Sequence, residues 1–351
     1  MILVVNAGSS SVKVAVLDGA REVLRGEVAE VGSRGRLRLG AWAQDVAAAD
    51  HEAALGLLLA TLRAEDVGPE SLRAAAHRVV HGGAALTAPV RLDATSIAAI
   101  EACVPLAPLH NPANLAGIRA VAALAPDLPQ FASFDTAFHA TIPEEAALYA
   151  LPDRLRARGL RRYGFHGLSY ASLVGRLSPL PRRLLALHLG NGASVCAILE
   201  GRSVATSMGY SPASGLAMGT RTGSIDAMAV LEVARLEGVE GAARVLNREG
   251  GLLALAGTSD MRAILARDDA AARLAVAHFV RRAVEEAGAC IAAMGGVDAL
   301  AFTGGIGENA APVREAIVAG LAWAGHVPVH VLPAEEERRI ARDALALLSG
   351  G

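Results

Sequence analysis

The sequence predicts an α/β protein built from two similar halves, and three observations lead to this prediction. Its 351 residues suffice for two ordinary domains. Strand-like apolar runs alternate with helical patterns along the chain, as in folds that pack helices on a sheet. The strand–turn–strand segment GSSSVKVAVLDG, residues 8–19, aligns without gaps on GNGASVCAILEG, residues 190–201. This match indicates a duplicated domain, with shared hairpin composition as the alternative explanation.

In the first half, residues 1–5 and 12–17 read as two strands joined by a serine-rich turn. Helical periodicity follows at 52–64, and a buried strand entering a glycine turn at 74–83. The segment NPANLAGIRAVAAL predicts a helix with Asn111 as its N-cap and Pro112 at the first position. FASFDTAFH then predicts a strand followed by a loop.

In the second half, residues 269–296 form a long helical pattern, and 299–309 predict a strand followed by a glycine loop. A helix is expected from Pro312 onward. We place the domain boundary near 150–158. The predicted domains are therefore 1–150 and 151–333, and a C-terminal helix at 334–351 is expected to join the first domain.

Composition narrows the function classes. The formal net charge is −2 with acids and bases interspersed, so we expect no nucleic-acid partner. No apolar run is long enough for a bilayer and no signal peptide is recognisable, so we expect no membrane association. Cys103, Cys196 and Cys290 are isolated and odd in number, which argues against disulfides or a cysteine zinc site. A cytoplasmic location follows as an expectation.

The first turn is rich in hydrogen-bond donors. Ser9, Ser11 and Lys13 together with closely spaced backbone N–H groups would form a concave surface that suits phosphate oxygens. The pattern G-x-x-x-x-G-K-[ST] is absent, so this is not the common P-loop. A plain surface turn is the alternative.

Ionisable residues recur beside glycine or proline in apolar surroundings. One histidine on an apolar face is usually a satisfied core residue, but several such loops together are typical of an active site on a rigid scaffold. No H-x-x-x-H spacing on a predicted helix supports zinc, because HRVVH belongs to a predicted strand, and no G-x-S-x-G nucleophile elbow is present. The candidates are His77, Arg78, His81, His110, Asp135, His139, His166, His188, Asn191 and Arg221.

The motifs NAGSSSVK, HRVVHGG, PLAPLHNPAN, FDTAFH, YGFHGLSY, HLGNGAS, MGTRTGSID and FTGGIGEN, in this order, resemble the acetate kinase family. The resemblance implies a duplicated ribonuclease-H-like (actin/Hsp70-like) fold, with two domains and an active-site cleft between them. It also implies phosphoryl transfer between ATP and acetate to give ADP and acetyl phosphate. Mg²⁺ is the expected metal with Mn²⁺ as an alternative, and a homodimer through the second half is expected. The first domain would bind the acyl substrate and phosphates, and the second the nucleotide.

The resemblance also implies roles for individual residues. The catalytic residues would be Arg78, Asp135, His166 and Arg221. The metal would be held by Asn6 and Glu336, the latter chosen from three consecutive glutamates. The acyl substrate would contact Arg78, Val80, Leu109, His110, Phe165 and Pro212. The nucleotide and its phosphates would contact Ser9, Ser11, Lys13, His188, Leu189, Gly190, Asn191, Gly192, Asp260, Met261, Arg262, Gly305, Ile306, Gly307 and Asn309.

The chain departs from the family pattern in several places. It is shorter near 30–50, near 178–183 and before Pro333, and Met228 replaces a common proline. Tyr170 stands where the family usually has a histidine, and Ser224 where it usually has an aspartate. Three alternatives remain open at this point. They are a propionate-preferring kinase of the same family, a non-catalytic ATP-binding switch of the actin/Hsp70 type, and a degenerate kinase that only binds a partner.

Overall fold

The computed structural model describes residues 1–8 and 10–350. Its strands are β1 (Ile2–Ala7), β2 (Ser11–Asp18), β3 (Arg21–Ala29), β4 (Arg34–Leu39), β5 (Trp42–Ala47), β6 (Ala74–Val79), β7 (Val90–Arg91), β8 (Gln130–Phe134), β9 (Arg183–Leu189), β10 (Ala193–Leu199), β11 (Arg202–Thr206), β12 (Ala299–Thr303) and β13 (Val329–Val331). Its helices are α1 (His51–Ala64), α2 (Ala94–Ala102), α3 (Asn111–Leu124), α4 (Glu144–Ala147), α5 (Asp153–Arg156), α6 (Gly167–Val174), α7 (Ala227–Arg244), α8 (Gly251–Ala256), α9 (Met261–Leu265), α10 (Ala270–Met294), α11 (Gly304–Asn309), α12 (Ala311–Gly320) and α13 (Glu336–Ser349).

The chain divides into two compact units. Unit 1 comprises Met1–Phe138 with Glu335–Gly351, and unit 2 comprises His139–Ala334. Unit 2 therefore begins twelve residues before the position 151 at which the second domain was predicted to start.

Unit 1 is built on an eight-stranded sheet in the order β5-β4-β3-β2-β1-β6-β8-β7. Strands β1 to β5 form an antiparallel meander, whereas β6 lies parallel to β1 and β8 lies parallel to β6. Apolar residues of β1 such as Leu3 and Val5 pack in one core cluster with Leu55 and Leu58 of α1. Helix α13 also packs against β1, β6 and β8.

Unit 2 repeats the central part of this arrangement. Its sheet has the order β11-β10-β9-β12-β13. The first three strands are antiparallel, β12 lies parallel to β9, and β13 lies parallel to β12. This order and these directions match β3-β2-β1-β6-β8 of unit 1, so the predicted duplication is confirmed. Among the helices that the structure describes, none has the length and apolar character required to cross a bilayer.

The two hairpins differ by one residue in register. Aligning Gly8 on Gly190 matches Asn6 with His188 and Lys13 with Val195, and Asn6 does pair with Lys13. His188, however, pairs with Ser194. The second turn is tighter, because its Gly190 N–H donates to the carbonyl of Gly192 at 3.0 Å, whereas the Gly8 N–H donates to that of Ser11 at 2.8 Å. The gap-free sequence match therefore hides a shorter turn.

The helices predicted at 52–64 and 269–296 are confirmed as α1 and α10, and an aspartate caps the N-terminus of each. The Asp50 carboxylate accepts from the Ala53 N–H at the start of α1, and that of Asp269 accepts from the Ala272 N–H at the start of α10. Such side-chain acceptors satisfy N–H groups that have no partner in the first helical turn. Helix α10 ends at Gly295, whose φ of +67° is unstrained only for glycine.

Two local predictions are wrong. Asn111 is not the N-cap of α3 but its first residue, and His110 occupies the cap position. Residues 304–309, predicted as a glycine loop, form the helix α11. The Glu308 carboxylate accepts from the Gly304 N–H at 3.1 Å and supports the first turn of this glycine-rich helix.

Candidate active site

In unit 1 the candidate residues lie where parallel strands end. Asn6 and Arg78 are the second-last residues of β1 and β6, and Asp135 directly follows β8. The carboxyl ends of parallel strands meet at one edge of a sheet, where open α/β folds bind their ligands. The topology therefore gathers residues that are far apart in the sequence.

Arg78 is the centre of an ion-pair cluster. Its Nη2 donates to Asp135 Oδ2 at 2.7 Å, and its Nε donates to Oδ1 at 3.1 Å. Its Nη1 lies 3.3 Å from Oε2 of Glu336, at the start of α13. The two-pronged contact fixes the plane of the guanidinium as well as its position.

Burial and charge oppose each other in this cluster. The Asp135 side chain is only 3% exposed, and burial raises the pKa of its carboxyl against the lowering effect of Arg78. Burial disfavours the charged form of Arg78, but Asp135 and Glu336 together raise the pKa of the guanidinium above its ordinary value. His110, at the N-cap of α3, also lowers the pKa of Asp135 electrostatically. The cluster therefore keeps Arg78 cationic.

Two asparagines of α3 that were not predicted as site residues hold the segment after β6. Asn114 accepts from the Val80 N–H at 3.0 Å and donates to the Ala7 carbonyl at 2.7 Å, which ties the ends of β6 and β1 together. The Asn111 amide bonds both backbone groups of His81, at 3.1 and 3.0 Å. A pair of asparagines three residues apart on an otherwise apolar helix is the feature of the sequence that could have identified these contacts.

The first phosphate turn is only partly described. Ser9 lies outside the described residues, Ser11 is half-buried, and Lys13 is exposed with its Nζ 3.5 Å from Glu27 Oε1. His51 Nε2 is 2.7 Å from the Gly8 carbonyl oxygen and supports the turn from α1. This contact could not be predicted from the sequence, because His51 is more than forty residues away from Gly8.

In unit 2, two candidate histidines stack on each other. The rings of His166 and His188 are 4.1 Å apart at 24°. His166 Nδ1 lies 2.9 Å from Ser194 Oγ, and His188 Nδ1 lies 2.9 Å from Ser169 Oγ. His166 adopts a left-handed backbone with φ of +59° at the start of α6. Such strain in a non-glycine residue is often found at functional sites.

Arg221 is held by its own loop. Its Nη1 donates to the Pro212 carbonyl at 3.1 Å, and burial lowers the pKa of its guanidinium. Ser224 closes this loop, since its Oγ accepts from the Gly215 N–H and its N–H donates to the Gly215 carbonyl, both at 2.9 Å. The serine thus has a structural role at a position where the family pattern has an aspartate.

The tight turn of unit 2 approaches these side chains closely. A Cβ on Gly192 would stand 3.2 Å from His166 Nε2 and 3.5 Å from Arg221 Nη1. A Cβ on Gly219 would stand 1.9 Å from Asn191 Oδ1, and the Gly219 N–H donates to the Asn191 carbonyl at 2.9 Å. Glycine is therefore required at 219 by close approach.

A cavity of about 530 Å³ adjoins this turn within unit 2. Asp260 caps α9 and pairs with Arg262 at 3.0 Å, and the side-chain hydrogen bond from Arg262 lowers the pKa of Asp260. Leu189, Gly192 and Gly307 are not among the lining residues, although Gly192 belongs to the adjoining turn. The cavity is lined by Gly190, Asn191, Ser259, Asp260, Met261, Arg262, Leu265, Gly305, Ile306, Asn309 and Ala310.

The predicted acyl-pocket residues differ in exposure. In unit 1, Val80 is half-buried after β6 and Leu109 is exposed before α3. In unit 2, Phe165 is 1% exposed, so its ring packs inside the unit. Pro212 is half-buried beside Arg221.

The donor set of unit 1 suits a hard divalent cation. Asp135 and Glu336 supply carboxylate oxygens and Asn6 an amide oxygen, the ligand types that Mg²⁺ and Mn²⁺ prefer. The described residues contain no group of three His, Cys, Asp or Glu side chains poised to bind a metal by themselves. Such a partial set fits an ion that also binds water and substrate phosphates, as Mg²⁺ usually does.

Comparison with known proteins identifies the family. Residues 1–342 match the model of the Acetokinase family. An acetate kinase from Streptomyces coelicolor is 43% identical in an alignment that covers 99% of this chain and 97% of that protein. The crystal structure of Porphyromonas gingivalis acetate kinase has a TM-score of 0.93 at 35% identity, covering 99% of both chains. A propionate kinase structure from Francisella tularensis also scores 0.93, at 34% identity, covering 97% of this chain and 98% of that one. The chain therefore has the predicted ribonuclease-H-like fold and belongs to the Acetokinase family.

Proposed function

We propose that this chain catalyses the reversible, Mg²⁺-dependent transfer of the γ-phosphoryl group of ATP to acetate, giving acetyl phosphate and ADP. The observation that carries the proposal is the turn at 190–192, where a guanidinium and two imidazoles approach glycines beside the 530 Å³ cavity. Relatives named acetate kinase, alignable over almost the whole chain, support the same reaction.

Phosphoryl transfer needs little covalent help from the protein, because its barrier is lowered mainly by positioning and charge stabilisation. Acetate and the γ-phosphate are both anions that repel each other. Arg221 and the Nε2 side of His166 would stabilise charge on the moving phosphoryl group. His188 and Asn191 would contact the remaining phosphates of the nucleotide.

Arg78 would bind the acetate carboxylate, for which its planar fork of N–H donors is well suited. Asp135 would orient Arg78 and would not act as a base, because acetate is already ionised at neutral pH. Val80, Leu109 and His110 in unit 1, and Phe165 and Pro212 in unit 2, would contact the acyl group.

Asn6 and Glu336 would hold the Mg²⁺, with Asp135 near it. When bound, the ion would neutralise phosphate charge. Ser9, Ser11 and Lys13 would contact the phosphates from unit 1, which we propose as the acyl-substrate unit. In unit 2, which we propose as the nucleotide unit, the lining of the cavity would contact the adenosine, with Leu189, Gly192 and Gly307 behind it. A cytoplasmic location fits this chemistry.

Substrate choice and catalysis can be tested together by measuring ADP formation with acetate, propionate, butyrate or no acid, while trapping acyl phosphate as hydroxamate. We expect hydroxamate with acetate at the highest kcat/KM. The propionate kinase structure keeps propionate as the second candidate, because one methylene is worth only about 1–3 kcal/mol in an apolar pocket. ADP formation without any carboxylic acid would indicate an ATP-binding switch. ATP binding without any turnover would indicate a degenerate kinase.

Replacing Gly192 with alanine should lower kcat by roughly 10²-fold, because the new methyl group would stand 3.2 Å from His166 Nε2 and push the imidazole away from the turn. Initial rates at saturating ATP and acetate measure this. Gly56→Ala in α1 is the matched control, since a Cβ there meets nothing within 4 Å. An unchanged kcat in the Gly192→Ala variant would show that the turn at 190–192 takes no part in catalysis.

We also propose a homodimer through unit 2. Helix α7 exposes large apolar side chains, with Met228 68% and Leu231 61% exposed three residues apart on one face. Leu236 and Val239 of the same helix are 65% and 80% exposed on either side of a kink at Gly238. Several large exposed apolar side chains on one helix are typical of interaction sites.

Leu231→Asp should therefore convert the dimer into a monomer, as measured by light scattering after size-exclusion chromatography. The cause would be a charge placed in a desolvated apolar contact. Leu124→Asp is the control, since Leu124 is an exposed leucine of unit 1. A wild-type monomer, or a dimer unaffected by Leu231→Asp, would rule out this interface.

A further inference from the structure

Tyr170 is a buried residue for which the proposed reaction has no role so far. It lies one helical turn after His166, and its N–H donates to the His166 carbonyl at 3.1 Å. Its ring is completely buried and packs edge-to-face on His139 at 5.7 Å. Its hydroxyl lies 2.5 Å from Ser194 Oγ. A buried phenol in so short a contact has a specific hydrogen-bonding role rather than a filling role only.

Ser194 connects this phenol to the candidate catalytic histidine. Ser194 is completely buried in β10, and its Oγ lies 2.5 Å from the Tyr170 hydroxyl and 2.9 Å from His166 Nδ1. A serine hydroxyl has one proton to donate and lone pairs to accept with. Among the described residues, the buried Ser194 Oγ bonds only these two side chains, so its single proton goes to His166 when the phenol donates to it.

Either hydroxyl could donate in the first bond, and the phenol is the better donor of the two. A phenolic O–H is far more acidic than an aliphatic one and hence the stronger donor, whereas the serine oxygen is the stronger acceptor. Burial raises the pKa of Tyr170 well above its ordinary value, so the phenol keeps its proton. With Tyr170 as the donor in the first bond, His166 Nδ1 is the acceptor left for the Ser194 proton.

This direction determines which nitrogen of His166 carries the proton. An Nδ1 that accepts from Ser194 has no proton of its own, so the neutral imidazole is protonated at Nε2. Nε2 is the atom that would stand 3.2 Å from a Cβ on Gly192. The donor side of the ring therefore faces the turn at 190–192.

We propose that Tyr170 is a positioning residue that, through Ser194, fixes His166 as the Nε2–H tautomer with its donor side toward this turn. The consequence for the rate rests on the proposed function, but the tautomer does not. The family pattern has a histidine at this position, so a phenol in this relay is a departure of this chain.

The test is the tautomer of His166, read from ¹⁵N chemical shifts of the full-length chain labelled in its histidines. The His166→Gln variant assigns the signals. We expect an unprotonated Nδ1 and a protonated Nε2 in the wild type. Tyr170→Phe keeps the ring and removes only the hydroxyl, and should give a mixture of tautomers. Its kcat should fall roughly tenfold, the effect of one hydrogen bond, with the KM for ATP and acetate nearly unchanged.

Tyr163→Phe is the matched control, because it removes the phenol that donates to the Gly159 carbonyl at 3.1 Å and leaves Ser194 alone. It should leave the His166 signals unchanged. Ser194→Ala should reproduce the tautomer mixture, and it serves as the second variant if Tyr170→Phe does not fold. A wild-type Nδ1–H, or a tautomer unchanged in either relay variant, would overturn the proposal. Loss of all kinase activity with the expected tautomer would count against the proposed function alone.

Discussion

Replacing Arg221 with alanine should lower kcat for acetyl phosphate formation on the order of 10³-fold, comparable to the loss of an arginine finger. The guanidinium is close to the turn at 190–192 and is held by the Pro212 carbonyl. It would stabilise charge that develops in the transition state, so kcat should fall more than the affinity for ATP. Steady-state kinetics and ATP titration calorimetry separate the two.

The Arg221→Lys variant separates the effect of the positive charge from that of the planar guanidinium. Lysine keeps the positive charge but loses the planar fork, so we expect it to recover only part of the lost rate. Arg314→Ala, which removes contacts to the Gly307 and Glu308 carbonyls, controls for loss of an arginine from the same unit. If Arg221→Ala retained wild-type kcat, Arg221 would not act on the phosphoryl group.

Replacing Arg78 with alanine should affect both activity and stability. The rate with acetate should fall on the order of 10³-fold, because the carboxylate loses its cationic partner. The free energy of unfolding should fall by about 3–5 kcal/mol, because Asp135 is left buried without its partner. Denaturant unfolding monitored by circular dichroism measures the second effect.

The stability loss should depend on pH with a defined sign. Burial raises the pKa of Asp135, and removing Arg78 removes the two largest effects that lower it, leaving only that of His110. Above the ordinary carboxyl pKa of 3.8, the folded variant then binds more protons than the unfolded chain, so its stability falls as pH rises. The deficit relative to the wild type should therefore be smaller at about pH 5 than at about pH 8.

The double variant Arg78→Met with Asp135→Leu separates the two effects. Replacing both members of a buried ion pair by apolar residues removes the unpaired charge, so stability should recover while activity does not. A single Arg78→Ala variant as stable as the wild type at every pH would show that Asp135 does not depend on this partner.

The duplicated fold could be predicted because a repeated hairpin leaves a direct trace in the sequence. The register of the second hairpin could not be predicted. Its turn, closed by the Gly190–Gly192 hydrogen bond, is one residue shorter than the first, although the two aligned segments have the same length. The cap of α3 was predicted wrongly for a related reason. Asn111 has the composition of a cap, but its amide serves the buried backbone of His81. Tertiary partners thus overrode local preferences.

Some residues of the candidate site could likewise be predicted from the sequence, and others could not. Arginines, histidines and aspartates beside glycines stand out in an apolar sequence, and the structure brings Arg78 together with Asp135 and His166 with His188. Ser194 and Asn114 were not among the predicted site residues, because serine and asparagine are common in every part of a sequence. Their importance depends on hydrogen bonds between elements that only the fold brings together.

The most direct test of the central claim uses acetate labelled with ¹⁸O in its carboxylate. Phosphoryl transfer from ATP to this carboxylate places one ¹⁸O between carbon and phosphorus, which shifts the ³¹P signal of acetyl phosphate. We predict this shifted signal, appearing with ADP and only when acetate is present. ADP and inorganic phosphate formed without acetate, or acetyl phosphate whose phosphorus carries no ¹⁸O, would contradict the account.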